Sequence, residues 1–348
     1  GDTVEVQPMD VRSPSENIQV LISLDSGNPE PLEVECGRSN GFNVGGEKLH
    51  GVVVNNNDGG HELHGKGRCV LFEVDINANS NSSGMYVDVK GSEKFTSIQD
   101  AIDSVPDGNQ DWVLIHVNKG TYSSENNYDS STFKVDADDF IAFGITFKNE
   151  APTGIANTSH NQSVAAYVGG DKVAFYSCGF SSSHNTLLDN EGRHYYDQCY
   201  IQGAVDVIFG QARSVFHECE IFVVADKRIE IEGSVTAHTR TSVNENTGFV
   251  FLKGRIYGVG HVFLGRPKGE HSRVVFAKTY LSKTVSPQGW TDWNHHGSLE
   301  NVYHAEYNCH GPGSSTEGRV RWLKKLSSEE AAPFLSTDFI DGKQWLKA

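Results

Sequence analysis

The chain has 348 residues, 37% of them hydrophobic, which is enough for one large core or for one large and one small core. Its formal net charge of −16 argues against a nucleic-acid partner, because binding to phosphates needs a basic face. The same charge disfavours tight binding of a fully ionised acidic polysaccharide, whereas a neutral or esterified polymer would not be repelled. No apolar run approaches the length of a membrane span, so we expect no membrane contact.

The first 85 residues differ in pattern from the rest of the chain. Their strand-like apolar runs, separated by Gly, Asn and Pro turns, lie at 18–24, 32–36, 52–54 and 69–76. The polar stretch 77–84 has the composition of a linker. These features predict a small β-rich module over residues 1–85, with a candidate disulfide between Cys36 and Cys69, and a larger domain over residues 86–348.

Few helices are predicted. Apolar residues at helical spacing predict a short amphipathic helix over 98–105, and a strand follows at 112–117. The run 327–332 begins like a capped helix, and Pro333 limits its length. We expect this C-terminal helix to cover one end of the domain or to pack along its side.

From residue 133 onward an apolar pattern recurs, with shortest intervals of about 20 residues. Its first position is occupied by Ile141, Phe175, Tyr196, Phe216, Phe251 and Phe276. Five residues after each of these come Thr146, Phe180, Ile201, Ile221, Ile256 and Leu281. Short strands at this period, without intervening helices, predict an all-β parallel solenoid whose core forms by stacking of coils. Polar insertions then fall on one side, where a binding groove is commonly built.

Cys178, Cys199 and Cys219 occupy one column of this repeat. Adjacent coils stack roughly 4.8 Å apart, a distance that a disulfide can span. Buried thiols acting as small hydrophobic side chains fit the same column equally well. The pattern leaves both alternatives open.

Asp206 lies within the apolar stretch 203–210, where a lone carboxylate is costly to bury unless it is paired. Arg266 in the motif 264–267 is the expected partner, because a guanidinium can hold a carboxylate through two hydrogen bonds. A plain salt bridge, or an Asp that caps a coil, would give the same pattern. We favour a functional pair.

Seven segments, in their order and spacing, resemble the plant-type pectin methylesterases over residues 86–346. They are FTSIQDAI (95–102), GTY (120–122), QSVAA (162–166), CYIQG (199–203), VDVIFG (205–210), LGRP (264–267) and GW (289–290). The resemblance implies a right-handed parallel β-helix, in agreement with the repeat. It also implies hydrolysis of galacturonosyl methyl esters in pectin, with release of methanol and without a metal or organic cofactor.

Position by position, the resemblance implies that Asp206 is the nucleophile, Arg266 its clamp and Gln162 an oxyanion donor. Where the family has Gln-Asp-Thr-Leu, this chain has His184 and Asn185 in the first two positions, so the second oxyanion Gln and the acid/base Asp are both replaced. An amide cannot carry a proton, and loss of a general acid–base group costs roughly 10²–10⁴-fold in rate. His184 titrates near neutrality and can replace that acid, base or oxyanion donor, or it can simply bond the backbone at a coil turn.

Four residues are candidate substrate contacts. Lys268 replaces the aromatic residue that the family places after LGRP, and it can attract a galacturonate carboxylate. Phe209, Trp290 and Trp293 are candidate sugar-stacking platforms, although buried aromatic residues usually fill cores. The interval 122–133 is also shorter than in the family by about one coil, so either the solenoid is a coil shorter or the N-terminal module fills the gap.

Three functions remain open from the sequence. Asp206, Arg266 and Gln162 together favour an active pectin methylesterase, whereas Asn185 favours a catalytically impaired pectin-binding or regulatory protein. A polygalacturonase or a pectate lyase would need clustered Asp residues or an acidic calcium site, and neither pattern is found.

The resemblance also bears on location and partners. It implies secretion to the plant cell wall and a proteinaceous pectinesterase inhibitor as a partner that can bind the groove. Sequons at Asn81, Asn157 and Asn161 permit glycosylation of a secreted chain.

Overall fold

The computed structural model describes residues 85–88, 90–96, 98–104, 112–118, 121–122, 131–149, 164–225, 233–293 and 295–346, and before residue 85 the backbone of seven strands. Several predicted features lie outside the described residues. They are the linker 77–84, the run 32–36, the three sequons, Gln162 and the side chains of Cys36 and Cys69.

Strands make up most of the structure. Strands β1 to β7 are Val4–Val6, Met9–Val11, Gln19–Asp25, Asn43–Val44, Glu47–Lys48, His50–Val54 and Cys69–Glu73. Strands β8 to β15 are Met85–Val87, Trp112–Asn118, Thr121–Tyr122, Phe133–Val135, Ile141–Phe143, Ile145–Lys148, Ala166–Val168 and Val173–Tyr176. Strands β16 to β23 are Gly179–Ser181, Leu187–Asp189, Arg193–Asp197, Tyr200–Gly203, Ile208–Gly210, Arg213–His217, Glu220–Val223 and Ser234–His238. Strands β24 to β30 are Gly248–Leu252, Arg255–Gly258, Phe263–Pro267, Arg273–Ala277, Tyr280–Leu281, Tyr303–Tyr307 and Lys324–Lys325.

The helices are short. They are α1 at Ile98–Asp103, α2 at Ser328–Ala331 and α3 at Gly342–Trp345, with 3₁₀ turns at Ala332–Phe334 and Thr337–Ile340. The predicted N-terminal helix and the strand that follows it are confirmed as α1 and β9. Among the described residues, no helix is long and apolar enough to cross a membrane.

Strand pairing in the described part of the chain builds three parallel sheets. Sheet A has the order β10-β1-β13-β16-β19-β22-β25-β28, sheet B the order β2-β11-β14-β17-β20-β23-β26, and sheet C the order β30-β29-β27-β24-β21-β18-β15-β12-β3-β9-β8. Each coil gives one strand to each sheet in turn, as β18, β19 and β20 do. The fold is the right-handed parallel β-helix that the sequence predicts, the hand being the one that parallel crossovers take.

A ladder of buried aromatic rings runs along the core. Its members are the predicted column Phe175, Tyr196, Phe216, Phe251 and Phe276, and successive ring centroids lie 5.3, 4.6, 4.6 and 4.4 Å apart. These separations match the spacing of paired strands, because each ring stacks on the ring of the coil before it. The side chains are at most 2% exposed. The repeat read from the sequence is therefore the periodicity of the core.

The predicted alignment of the first coil is wrong by one residue. Phe147, rather than Thr146, pairs with Phe180, and Ile141 is displaced from its predicted column in the same way. Successive side chains of a strand point to opposite faces, so a shift by one residue exchanges the buried and outward sets. Phe147 is 1% exposed whereas Thr146 is only half-buried, and burial of the ring therefore fixes the register.

A single residue with positive φ turns each coil from sheet C into sheet A. In three successive coils these residues are Ser177, Gln198 and Glu218, with φ of 51°, 52° and 52°. The thiols of the predicted cysteine column follow directly and are buried and unbridged. Cys199 and Cys219 each donate to a carbonyl oxygen of the preceding coil over 3.4 Å. Of the two alternatives left open by the sequence, the structure has the free thiols.

The first three strands pair with strands that follow residue 85 in the chain. Strand β1 pairs in parallel with β10 and β13, β2 with β11, and β3 with β9 and β12. The strands within residues 4–25 thus lie between strands that precede the short interval 122–133 and strands that follow it. They occupy the place where a connecting coil is missing. This pairing is the second of the alternatives raised by that interval, in which the preceding segment fills the gap. Strands β4 to β7 form two antiparallel pairs.

The C-terminal segment packs along the side of the solenoid. Its helix α2 begins with the predicted cap, in which Ser327 and Glu330 bond each other's backbone N–H groups. Phe334, Phe339 and Ile340 then join a hydrophobic cluster with the outward valines of sheet C. This confirms one of the two placements expected for the segment.

Deletion of residues 1–25 tests the strand pairing. Because β3 is paired on both edges, its loss exposes unpaired backbone groups on β9 and β12, and we expect a lower thermal midpoint and a broader transition. Differential scanning calorimetry measures both quantities. An unchanged midpoint would contradict the pairing and support an independent N-terminal module.

Candidate active site

Asp206 and Asn185 occupy equivalent corners of adjacent coils, between sheets A and B. Both have φ in the left-handed region, 46° for Asp206 and 54° for Asn185, a conformation that Asp and Asn tolerate better than most residues. His184 forms a parallel bridge with Val205, and the N–H of Asn185 donates to the Val205 carbonyl oxygen over 3.0 Å. The two side chains are therefore in register, one coil apart.

The Asp206 carboxylate is 3% exposed and is held by charged and neutral donors. Arg266 donates from Nε to Oδ1 over 2.8 Å and from Nη2 to Oδ2 over 2.5 Å. The Ser234 hydroxyl donates to Oδ1 over 2.6 Å, and it accepts the Asp206 backbone N–H over 3.1 Å. Bidentate and charge-assisted bonds of this kind stabilise the ionised carboxylate. The predicted pair between Asp206 and Arg266 is thus present.

Arg266 is itself fixed by Trp293. The guanidinium carbon lies 4.6 Å from the centroid of the indole ring, a cation–π distance. Its Nη1 atom also donates to the Trp293 carbonyl oxygen over 3.3 Å. Trp293 is half-buried. Its ring packs against the Arg266 guanidinium, and part of its side chain remains accessible to solvent.

Lys268 is a second cation beside the carboxylate. Its Nζ atom lies 3.7 Å from Asp206 Oδ2, and its side chain is 35% exposed. Its backbone N–H donates to the His238 carbonyl oxygen over 3.1 Å, which anchors the residue directly after strand β26. Because Lys268 follows Arg266 by two residues, both side chains leave the strand on the same face.

A row of half-buried side chains on sheet B leads to Asp206. Strand register aligns Tyr167, Leu188 and Phe209 on consecutive coils, and each alternates with buried neighbours. The sequence analysis did not identify Tyr167, although it directly follows the QSVAA segment. Asn190 donates to the Tyr167 hydroxyl over 3.0 Å. Burial and the Asp136 carboxylate raise the pKa of Tyr167, which keeps the phenol protonated.

The prediction that Trp290 is a sugar platform is wrong. The side chain is 0% exposed, its indole N–H donates to Glu306 Oε1 over 3.1 Å, and its ring stacks 4.3 Å from that of His304. Gly265 of the LGRP motif packs against it, because a Cβ there would lie 3.1 Å from the indole. Trp290 belongs to the core, where a large apolar ring is most stable.

Of the two oxyanion candidates predicted from the sequence, the structure describes only one. His184 is 7% exposed, and its carbonyl oxygen accepts the Ser182 hydroxyl over 3.2 Å. Its role as acid, base or donor stays a prediction. Gln162 lies outside the described residues, and its role also stays a prediction. Within the described ranges, no group of three or more His, Cys, Asp or Glu side chains is placed to hold a metal ion.

Comparisons with known proteins place these features in one family. A family model described as Pectinesterase matches residues 123–343. A relative from Arabidopsis thaliana named Probable pectinesterase 67 is 52% identical over 296 residues, covering 77% of this chain and 86% of the relative.

Solved structures give the same result. The pectin methylesterase from carrot superimposes with a TM-score of 0.69 at 27% identity and covers 78% of this chain and 97% of its own. A pectin methylesterase in complex with a hexasaccharide has a TM-score of 0.61 at 21% identity, covers 75% of this chain and 98% of its own, and shares the fold.

Removal of the Arg266 charge tests how the carboxylate is held. Arg266→Gln leaves a buried carboxylate without its main partner, and we expect a loss of about 3–5 kcal/mol in the free energy of unfolding. Adding Asp206→Asn to that variant removes the unpaired charge and should restore part of the loss. Urea denaturation of the two single variants and the double variant gives the coupling. A double variant no more stable than Arg266→Gln would refute the buried-charge explanation.

Proposed function

Since this chain belongs to the pectinesterase family, we propose that it hydrolyses galacturonosyl methyl esters of pectin with Asp206 as the nucleophile. The supporting observation is the bidentate pair in which Arg266 donates two hydrogen bonds to the buried Asp206 carboxylate. A carboxylate can act as a nucleophile toward an ester carbonyl. Two hydrogen bonds also fix its orientation for attack.

In the proposed reaction, an Asp206 oxygen bonds to the ester carbonyl carbon, and the bond to the methoxy group breaks. Water then cleaves the resulting anhydride, which returns Asp206 and leaves a galacturonate carboxylate. Gln162 is assigned as one oxyanion donor by its match to the family motif. His184 is the candidate for the second, in the position of the missing Gln.

Attack of the Asp206 carboxylate on an ester carbonyl needs no metal or organic cofactor. The hydrogen-bond donors and cations around Asp206 fit such a reaction. Arg266, Ser234 and Lys268 all present hydrogen-bond donors or cations to the carboxylate. Such an environment repels a metal cation and compensates the negative charge that a metal would otherwise neutralise.

Pectin is the proposed partner, bound along sheet B. Phe209 and the accessible part of Trp293 offer apolar faces near Asp206, and Tyr167 extends the row two coils away. Sugar rings stack on such faces, and Lys268 can attract an unesterified galacturonate. The net charge of −16 disfavours a fully ionised polymer, which agrees with an esterified substrate.

A catalytically impaired pectin-binding protein is the alternative reading, and Asn185 is the observation behind it. The match to pectinesterases over most of the chain does not favour it. The buried pair of Asp206 and Arg266 also opposes it, because a binding protein does not require a charged nucleophile held out of water.

Location and further partners follow from the family rather than from the geometry. We place the protein in the plant cell wall after secretion, where its polymeric substrate lies. A proteinaceous inhibitor that covers the groove remains a prediction.

The ester that is cleaved can be identified directly. We expect methanol release from highly methylated homogalacturonan and no acetate release from acetylated pectin, because in the proposed reaction Asp206 attacks the carbonyl carbon of the galacturonosyl methyl ester. Gas chromatography of both products, with unesterified polygalacturonate as the blank, measures this. Acetate release without methanol would contradict the proposed substrate.

Asn185→Asp restores the family's acid at a position in register with Asp206. We expect kcat to rise by about 10-fold, less than the roughly 10²–10⁴-fold that a general acid–base group contributes when nothing replaces it. Asn246→Asp, which adds the same charge at an exposed loop residue, is the matched control. Equal rates in the parent and in a folded Asn185→Asp variant would exclude the missing proton donor as a limitation.

A further inference from the structure

The proton that the reaction needs has a second source in this chain. The inference rests on the proposed function, in which Asp206 attacks a methyl ester and methanol leaves. An amide such as that of Asn185 cannot supply the proton, and an arginine guanidinium is a poor proton donor. The Lys268 ammonium, 3.7 Å from Asp206 Oδ2, is a charged proton donor beside the carboxylate.

The two oxygens of Asp206 are held differently. Oδ1 accepts hydrogen bonds from Ser234 and from Arg266 Nε, whereas Oδ2 accepts one from Arg266 Nη2. Oδ2 therefore keeps more electron density for bond formation, and it is the oxygen that faces Lys268, at 3.7 Å. The attacking atom and the ammonium group are on the same side of the carboxylate.

The distance suits a donor to the leaving group. All oxygens on the tetrahedral carbon lie close to the attacking oxygen. A nitrogen 3.7 Å from Oδ2 can therefore come within about 3 Å of the methoxy oxygen, the hydrogen-bond distance that proton transfer requires. The Lys268 side chain is 35% exposed and flexible at its end, which allows this adjustment.

The local charges favour transfer of the Lys268 proton after Asp206 has attacked the ester. Before attack, the negative Asp206 carboxylate attracts the ammonium and holds its proton. Once Oδ2 is bonded to the substrate, the negative charge has moved from the carboxylate to the substrate oxygens, and Arg266 remains as a positive neighbour. Repulsion between the two cations then favours release of the Lys268 proton.

We propose that Lys268 protonates the departing methanol oxygen and then accepts a proton from the water that cleaves the anhydride. In the first step the Oδ2–carbon bond forms, the carbon–methoxy bond breaks, and the Nζ proton moves to the methoxide. In the second step water adds to the carbonyl carbon and one of its protons moves to the neutral amine. The carbon–Oδ2 bond then breaks, and the product leaves as a carboxylic acid that gives its remaining proton to the solvent. The cycle ends with Asp206 ionised and Lys268 protonated.

Other charged and titratable groups surround Lys268, and His184 stays a separate candidate. Strand β26, which ends just before Lys268, carries Arg266, and the following turn carries Glu270, which is exposed. From the strand packed beneath it, His238 is fully buried, and burial lowers its pKa to about 3, so it is neutral. Beyond Trp293, Asp292 and His296 are exposed, and they donate nothing to Asp206 in the described structure.

Substitutions at Lys268 separate proton transfer from attraction of charge. Lys268→Gln removes the proton, and Lys268→Arg keeps the charge but cannot release a proton. We expect both variants to lose about 10²-fold in kcat, the lower bound for a general acid–base group, with little change in KM. Lys253→Gln, which removes a 51% exposed lysine that pairs with Glu218, is the matched control and should retain full activity.

Two rescues make the test specific. Asn185→Asp should raise kcat of Lys268→Gln by about 10²-fold, more than it raises the parent, because each group replaces the other. Methylammonium should restore activity to Lys268→Ala, whereas tetramethylammonium, which has no transferable proton, should not.

The outcomes distinguish this inference from the proposed function. Full kcat in Lys268→Gln, or rescue of activity by Lys268→Arg, would overturn the proton role while leaving Asp206 as the nucleophile. A rise in KM confined to partly de-esterified pectin would assign Lys268 to carboxylate binding instead. Absence of methanol release from the parent chain at every pH would overturn the proposed function itself.

Discussion

The structure depends on parallel strands that stack in register at one spacing from coil to coil. Because every coil repeats the same corner, a residue at that corner lies beside its equivalent in the next coil. This constraint aligns the rings of Phe175 and Tyr196 in the core and the side chains of Asn185 and Asp206 at the coil corners. The geometry of the candidate site is thus set by the same backbone pairing that builds the core.

The electrostatics of the site follow from burial. A carboxylate 3% exposed needs its charge compensated, and Arg266, Ser234 and Lys268 do so from three directions. In the family pattern an Asp one coil away supplies the proton, and an aromatic residue follows LGRP. Here an amide and a lysine stand at these two positions, so the loss of the acid coincides with the arrival of an ammonium group near Oδ2.

The register of the coils and the central ion pair could be predicted from the sequence, because both depend on strong local signals. The aromatic column is periodic, and Asp206 is a charge in an apolar stretch. The first coil was misaligned because Thr146 and Phe147 are adjacent, and only packing against Phe180 decides which one points inward. A sequence pattern carries no such contact.

Other errors have similar causes. Trp290 belongs to a family motif, the segment GW. Its indole, however, is stabilised by Glu306 and His304, which come later in the chain and are brought next to it only by the fold. Tyr167 was missed because a single aromatic residue has no special spacing until the coils are stacked. The pairing of the strands within residues 4–25 joins segments roughly 90 to 140 residues apart, a long-range contact that local propensity does not encode.

The most direct test of the account is methanol release from highly methylated pectin by the unsubstituted chain and by Asp206→Asn. The amide keeps the size of the side chain and can still bond Ser234, but it is not a nucleophile. We expect steady methanol release by the parent and release at the buffer rate by the variant, with both proteins equally folded by circular dichroism. Equal release by the two proteins would contradict the assignment of Asp206 and the mechanism built on it.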